Sequence, residues 1–141
     1  MITSKLQLKA SKKAMATLRE ILEAEPSPQL SPKLAQATRK KTERKLSEIK
    51  GEINEYETYS NANLEDIPMT SFDDLLKAPI RCRLAMNESV KEFAELLEVN
   101  KRQILRYEEE GYENCSMTTF KKILTKVEKL IENSVEHEPA H

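Results

Sequence analysis

The sequence predicts an all-α protein, an N-terminal helical hairpin followed by a domain of short helices. Three observations carry this reading. Apolar side chains recur at intervals of three and four over long stretches, the spacing of a single helix face. Charged residues make up 33 % of the chain, with two glycines and no tryptophan, a composition that suits solvated helices better than sheets. Helix caps and breakers (Ser, Asn, Pro and Gly) fall between the apolar stretches, where starts and stops are needed.

The first helix is read over residues 4–25. Leu8, Ser11, Met15, Leu18 and Leu22 form its stripe, with Ile21 beside it. It should stop at PSPQLSP, because Pro26, Pro28 and Pro32 have no amide hydrogen to donate. A second helix can begin there, with Ser31 as N-cap and Pro32 in its first position. It runs to about Tyr59 along a seam of Leu46, Ile49, Ile53 and Tyr56. Upstream, the charged run RKKTERK interrupts that seam and reads as a solvated face rather than a phosphate site. Gly51 costs a helix interior about 1 kcal/mol relative to Ala.

Residues 1–62 therefore form a hairpin joined by a proline-rich turn. Two narrow stripes bury little apolar area alone. Leu8, Met15, Leu18, Leu22, Leu46, Ile49, Ile53 and Tyr56 are thus expected to meet a further partner. A second copy of the chain is the first expectation; the C-terminal domain or another protein is the alternative.

Residues 63–71, NLEDIPMTS, read as a linker. The domain that follows spans 72–133. Its first helix covers 72–86, with Pro79 as a bend or a second start. The next opens with Ser89-Val90-Lys91-Glu92, a capping box in which Ser89 accepts from the third amide and Glu92 reaches back. It should bury Val90, Phe93, Ala94 and Leu97. After a turn at Glu98-Val99, Asn100 caps a helix over 101–110, and Gly111 can take the left-handed conformation that ends it. Ser116 then caps a last helix with an apolar face of Met117, Phe120, Ile123, Leu124, Val127 and Leu130. Residues 134–141 read as a disordered tail.

Several function classes lack their residues. There is no phosphate-binding glycine loop, no HExxH and no GxSxG, so no enzyme is expected. Cys82 and Cys115 form no CxxC, and His137 and His141 lie in the polar tail, so neither metal nor cofactor is expected. No run of 18 apolar residues suggests a membrane span, and MITSKLQLKASKK has no signal-peptide pattern. The expected compartment is the cytoplasm.

Charge is uneven. Residues 1–62 carry 12 basic and 8 acidic side chains, a balance of +4, whereas 63–141 carry 11 and 16, a balance of −5. Within the acidic half, residues 77–106 hold seven basic against four acidic side chains, a local +3. This stretch contains LAMNESVKEFAELLEVNKRQILRYE, two short capped helices joined by a tight turn, the spacing of a helix-turn-helix. Ala94 falls where the helices would cross, and Val99 and Ile104 would fill the space beneath the turn.

On these residues the segment 72–133 resembles the Cro and lambda-repressor-like helix-turn-helix proteins, often called the Xre family. It looks most like small bacterial or phage regulators with a QxxRYE-type segment and an N-terminal hairpin. The matching words are Gln103-Ile104-Leu105-Arg106-Tyr107-Glu108, followed by Tyr112. The resemblance implies that residues 101–108 form the recognition helix. It also implies that Arg83 pairs with Glu108, matching a first-helix arginine of the family. At about 100° per residue, Ile104, Tyr107 and Glu108 share one side and Arg102, Leu105, Arg106 and Glu109 the other.

The expected partner is therefore double-stranded DNA, bound by a homodimer. Arg102 and Arg106 suit guanine, Gln103 adenine and Leu105 a thymine methyl. Lys91 and Lys101 suit phosphates, with Ser89 and Asn100 at the two helix starts. The sequence departs from the family pattern at Val90, where Gln is usual, and at Asn87 and Glu98, where Gly is frequent. Two other readings stand beside this one. One is an antitoxin-like protein whose hairpin covers a toxin; the other is a protein–protein module that no longer meets DNA.

Overall fold

A computed structural model describes residues 1–136 and is all-α. In chain order the helices are α1 (Lys5–Glu23), α2 (Pro32–Ser60), α3 (Phe72–Ala85), α4 (Val90–Leu97), α5 (Lys101–Glu109) and α6 (Met117–Glu136). A short 3-10 turn, Leu64–Asp66, precedes α3. The chain divides into two units, Met1–Glu57 and the part from Thr58 onward.

The first unit is an antiparallel pair of helices. Ser4 caps α1 by accepting from the Gln7 amide at 3.1 Å, and Ser31 caps α2 by accepting from Leu34 at 3.2 Å. Lys12 meets Glu57 at 3.2 Å, and Arg39 donates to the Leu22 carbonyl at 3.2 Å, which sets the alignment. Leu8, Ser11, Met15, Leu18 and Leu22 are half-buried; Leu46, Ile53 and Tyr56 are buried and Ile49 half-buried. These rows form the hairpin's own seam, so they are not the surface free to meet a second copy or a partner. The reason is geometric: two facing stripes satisfy each other first, through the short turn, before any second molecule is met. The seam also runs farther than its apolar residues suggest. Thr42 lies buried within the charged run, its hydroxyl donating to the Thr38 carbonyl at 2.9 Å, which lets a polar side chain sit in an apolar row.

In the second unit, residues 63–71 are not a free tether. Leu64–Asp66 packs against α6, and Ile67 is only 5 % exposed, because an isoleucine beside an apolar helix face gains more from burial than from solvent. Ser71 starts α3 with its own capping box, Asp74 being the reciprocal partner. The helix then runs continuously through Pro79. Ile80, Leu84, Phe93, Leu97, Ile104, Tyr112, Ile123 and Val127 form the core. Met117 does not join the α6 face and is 60 % exposed, since the first turn precedes the point where α6 meets the core. α6 continues through residues 134–136, and the rest of the expected tail, with His137 and His141, lies outside the described residues.

Three successive helices end in the same way. The amides of Glu88, Val99 and Tyr112 reach back to the carbonyls of Arg83, Ala94 and Tyr107 at 3.3, 3.0 and 2.8 Å. The residue before each is left-handed: Asn87 at φ 54°, Glu98 at 56° and Gly111 at 63°. This is the usual closing motif of a helix, and it favours glycine. Only Gly111 is one, and Tyr112 after it also has positive φ, at 62°.

The strain at Glu98 is testable. A left-handed non-glycine residue costs about 1–2 kcal/mol, and the Glu98 side chain is largely exposed. Glu98→Gly should therefore raise unfolding free energy by about 1 kcal/mol in a denaturant titration, and Asn87→Gly by less.

Candidate functional site

The candidate site is built on α4, the three residues 98–100 and α5. α4 starts on Ser89, whose hydroxyl accepts from the Glu92 amide at 3.1 Å while Glu92 accepts from the Ser89 amide at 3.1 Å. Those two bonds hold the Glu92 carboxyl below the usual glutamate range. α5 starts on Asn100, whose side-chain oxygen accepts from the Arg102 amide at 2.8 Å. Both N-cap side chains spend an acceptor on their own helix. The Asn100 amide nitrogen remains as a donor for a ligand.

α4 and α5 pack through Ala94, Leu97 and Ile104, all buried. Ala94 allows the close approach, and Val99 lies half-buried beside them. On α5, Ile104, Tyr107 and Glu108 are buried, while Lys101, Arg102, Gln103, Leu105, Arg106 and Glu109 are exposed. The helix thus presents a row of two arginines, a glutamine and a leucine to solvent from a fixed back.

What fixes that back is Arg83. Its Nε donates to Glu108 Oε2 at 2.7 Å, its Nη2 to Glu108 Oε1 at 2.7 Å, and its Nη1 to the Glu88 carbonyl at 3.0 Å. Both side chains of the pair are buried. One guanidinium therefore joins α3, the α3–α4 turn and α5. A two-pronged arginine–carboxylate pair fixes direction as well as distance, so it sets the rotation of α5 about its own axis. Around it Tyr112 stacks against Tyr107 at 5.6 Å and Phe120 at 6.1 Å. The Tyr112 hydroxyl is buried without a hydrogen-bond partner.

The basic charge within 77–106 is less available than its count. Arg81 is buried, stacked on the Tyr59 ring at 4.4 Å and bonded to Asp74 at 3.3 Å. Arg83 is buried as described, and Lys77 meets Asp73 at 3.0 Å. Four basic side chains remain exposed without a partner of this kind: Lys91, Lys101, Arg102 and Arg106. The Arg106 guanidinium sits 5.5 Å from the Tyr107 ring centroid. Of the three consecutive glutamates, Glu108 is neutralised inside and Glu110 is half-buried. Glu109 alone shares the outward face, and among the described residues no ion pair joins it to Arg106.

Sequence reasoning missed two features. The Ser71–Asp74 capping box had a signal in its spacing. The bond from Lys126 Nζ to the Leu97 carbonyl had none, because 29 residues separate the partners. That bond, with Glu98 at 3.9 Å from the same ammonium, ties α6 to the end of α4.

Among the described residues no cluster of His, Cys, Asp or Glu could hold a metal ion, and no helix is long and apolar enough to cross a membrane. No protein-family model, curated protein or solved structure matches the chain.

Removing one partner of a buried ion pair strands the other, at about 3–5 kcal/mol. Arg83→Ala and Glu108→Ala should each lower unfolding free energy by about that amount, and the double variant by less than the sum. Additive losses in a double-mutant cycle would show that the two side chains act independently. Burial pushes the Cys82 thiol up to about 12. In the folded chain an alkylating reagent should therefore leave Cys82 unmodified while the half-buried Cys115 reacts.

Proposed function

We propose that the chain is a sequence-specific DNA-binding regulator of transcription that acts as a dimer. In this reading residues 72–133 form a helix-turn-helix domain of the Cro/lambda-repressor-like, or Xre, kind. α4 and α5 are its two working helices, and α5 is the one that enters the major groove. The observation that supports it most is the division of α5. Ile104, Tyr107 and Glu108 are locked inward, and Arg102, Gln103, Leu105 and Arg106 are held outward on a rigid back.

The chemistry of that outward row suits base edges. An arginine can give two parallel hydrogen bonds to guanine, and a glutamine can pair with adenine in the same two-point fashion. Lys91 and Lys101 are suited to phosphates, which position a domain without reading sequence. The helix-end glutamates conflict little with this use. Glu108 is already paired, and Glu109 lies at the C-terminal end of α5, away from the N-terminal turns that reach bases in such domains. Four free cations make for weak binding by one chain, so two copies reading half-sites about 34 Å apart are needed.

The direct experiment is selection of bound duplexes from a random library by the purified chain, with affinity followed against salt. The expected result is a two-fold symmetric consensus. No enrichment, with binding unaffected by salt, would discard the reading, since phosphate contacts release counterions. Arg102→Ala should cost about 1–3 kcal/mol on the selected site and relax the preference at one base pair per half-site. Lys101→Ala should weaken all duplexes alike and lower the salt slope by about one per copy.

A further inference from the structure

We infer that the solvent face of α1 is the contact between two copies of this chain, packed antiparallel about a two-fold axis near Ala14. The inference deepens the dimer of the proposed function and rests on it. Beside the seam residues, α1 carries a second row: Leu6, Ala10, Ala14, Thr17 and Ile21. All five are exposed, Leu6 at 78 % and Ile21 at 50 %. The row recurs at helical intervals and lies about a quarter-turn from the seam at 100° per residue, so α2 does not cover it.

Its register is self-complementary. With the two helices antiparallel, Leu6 of one copy falls opposite Ile21 of the other, Ala10 opposite Thr17, and Ala14 opposite itself. The large side chains stand at the ends and the small ones at the centre, where the two backbones must approach. Each end also finds a receptacle. Ile21 borders an apolar cleft of about 410 Å³ at the hairpin tip, lined with Leu22, Pro26, Leu30 and Ala35. In this register the exposed Leu6 of each copy sits at the mouth of the other's cleft. Leu34, 52 % exposed, extends the same apolar surface.

Charge chooses the same direction and the same occupant. The first half of α1 carries Lys5, Lys9, Lys12 and Lys13, and its last turns lead into Glu20, Glu23 and Glu25. Parallel pairing would stack like on like. Antiparallel pairing sets the basic half of each copy over the acidic end of the other, with Lys9 opposite Glu20. A contact in which the same patch serves both chains is what a closed two-fold dimer requires. Together with α2 of each copy, the result is a four-helix bundle.

The test uses the full chain without DNA, so it stands or falls separately from DNA binding. Light scattering should give a two-chain mass. Ala14→Arg places two guanidinium groups face to face at the axis and should raise the dimer dissociation constant by about tenfold or more. In an independent variant, Ala14→Cys, a short bismaleimide should link the two position-14 side chains, identified by peptide mass apart from Cys82 and Cys115. A one-chain mass for the parent overturns the inference. So does a two-chain mass that survives Ala14→Arg with no position-14 link, which would place the contact elsewhere on the chain.

Discussion

The pair of Arg83 and Glu108 is the constraint on which the rest of the second unit depends. It is a buried charge pair, and such pairs add little net stability over an apolar substitute. Its effect is on geometry. The three donors of one guanidinium are shared between a carboxylate on α5 and a carbonyl in the turn before α4. The arginine accordingly fixes how α5 is rotated and where α4 begins. Hydrophobic packing alone would hold α5 against the core while allowing some roll. The two-pronged pair removes that freedom, and with it any doubt over which side chains reach solvent.

The consequences run outward from there. With Glu108 inward, the α5 periodicity places Ile104 and Tyr107 in the core and Arg102 and Arg106 in water. Tyr107 then meets Tyr112 and, through it, Phe120 at the start of α6. The outer charge of the domain is also defined by what is taken inside. Arg81 and Arg83 are spent on structure, so the exposed cations are few and concentrated on α5 and the first turn of α4. A count of basic residues along the chain overstates the field that an approaching polyanion would feel.

Much of this was legible in the sequence because it is local. The caps at Ser31, Ser89, Asn100 and Ser116 act over two or three residues, and each forms the bond its spacing implies. The two sides of α5 follow from helical periodicity. The hairpin stripes were legible as rows, but not as each other's cover, because a stripe does not name what it packs against. Thr42 was hidden by its polarity and by the lysines around it. The packing of Ile67 on α6, the burial of Arg81 and the exposure of Met117 depend on where distant helices dock, and no local pattern encodes that. The role of α5 toward a ligand is likewise a property of two molecules, of which the sequence describes one.

The Lys126 bond to the Leu97 carbonyl has a consequence for how the chain folds. Leu97 ends α4, and its carbonyl would otherwise look to water or to the strained turn at Glu98. Its partner comes from α6, so the cap forms only once a loop of 29 residues has closed. Closing such a loop precedes any reward for the contact it brings. The turn between α4 and α5, although the shortest connection in the second unit's core, is therefore a late event rather than a nucleus. The order of assembly runs from α6 back to the turn, against the direction in which the ribosome delivers them.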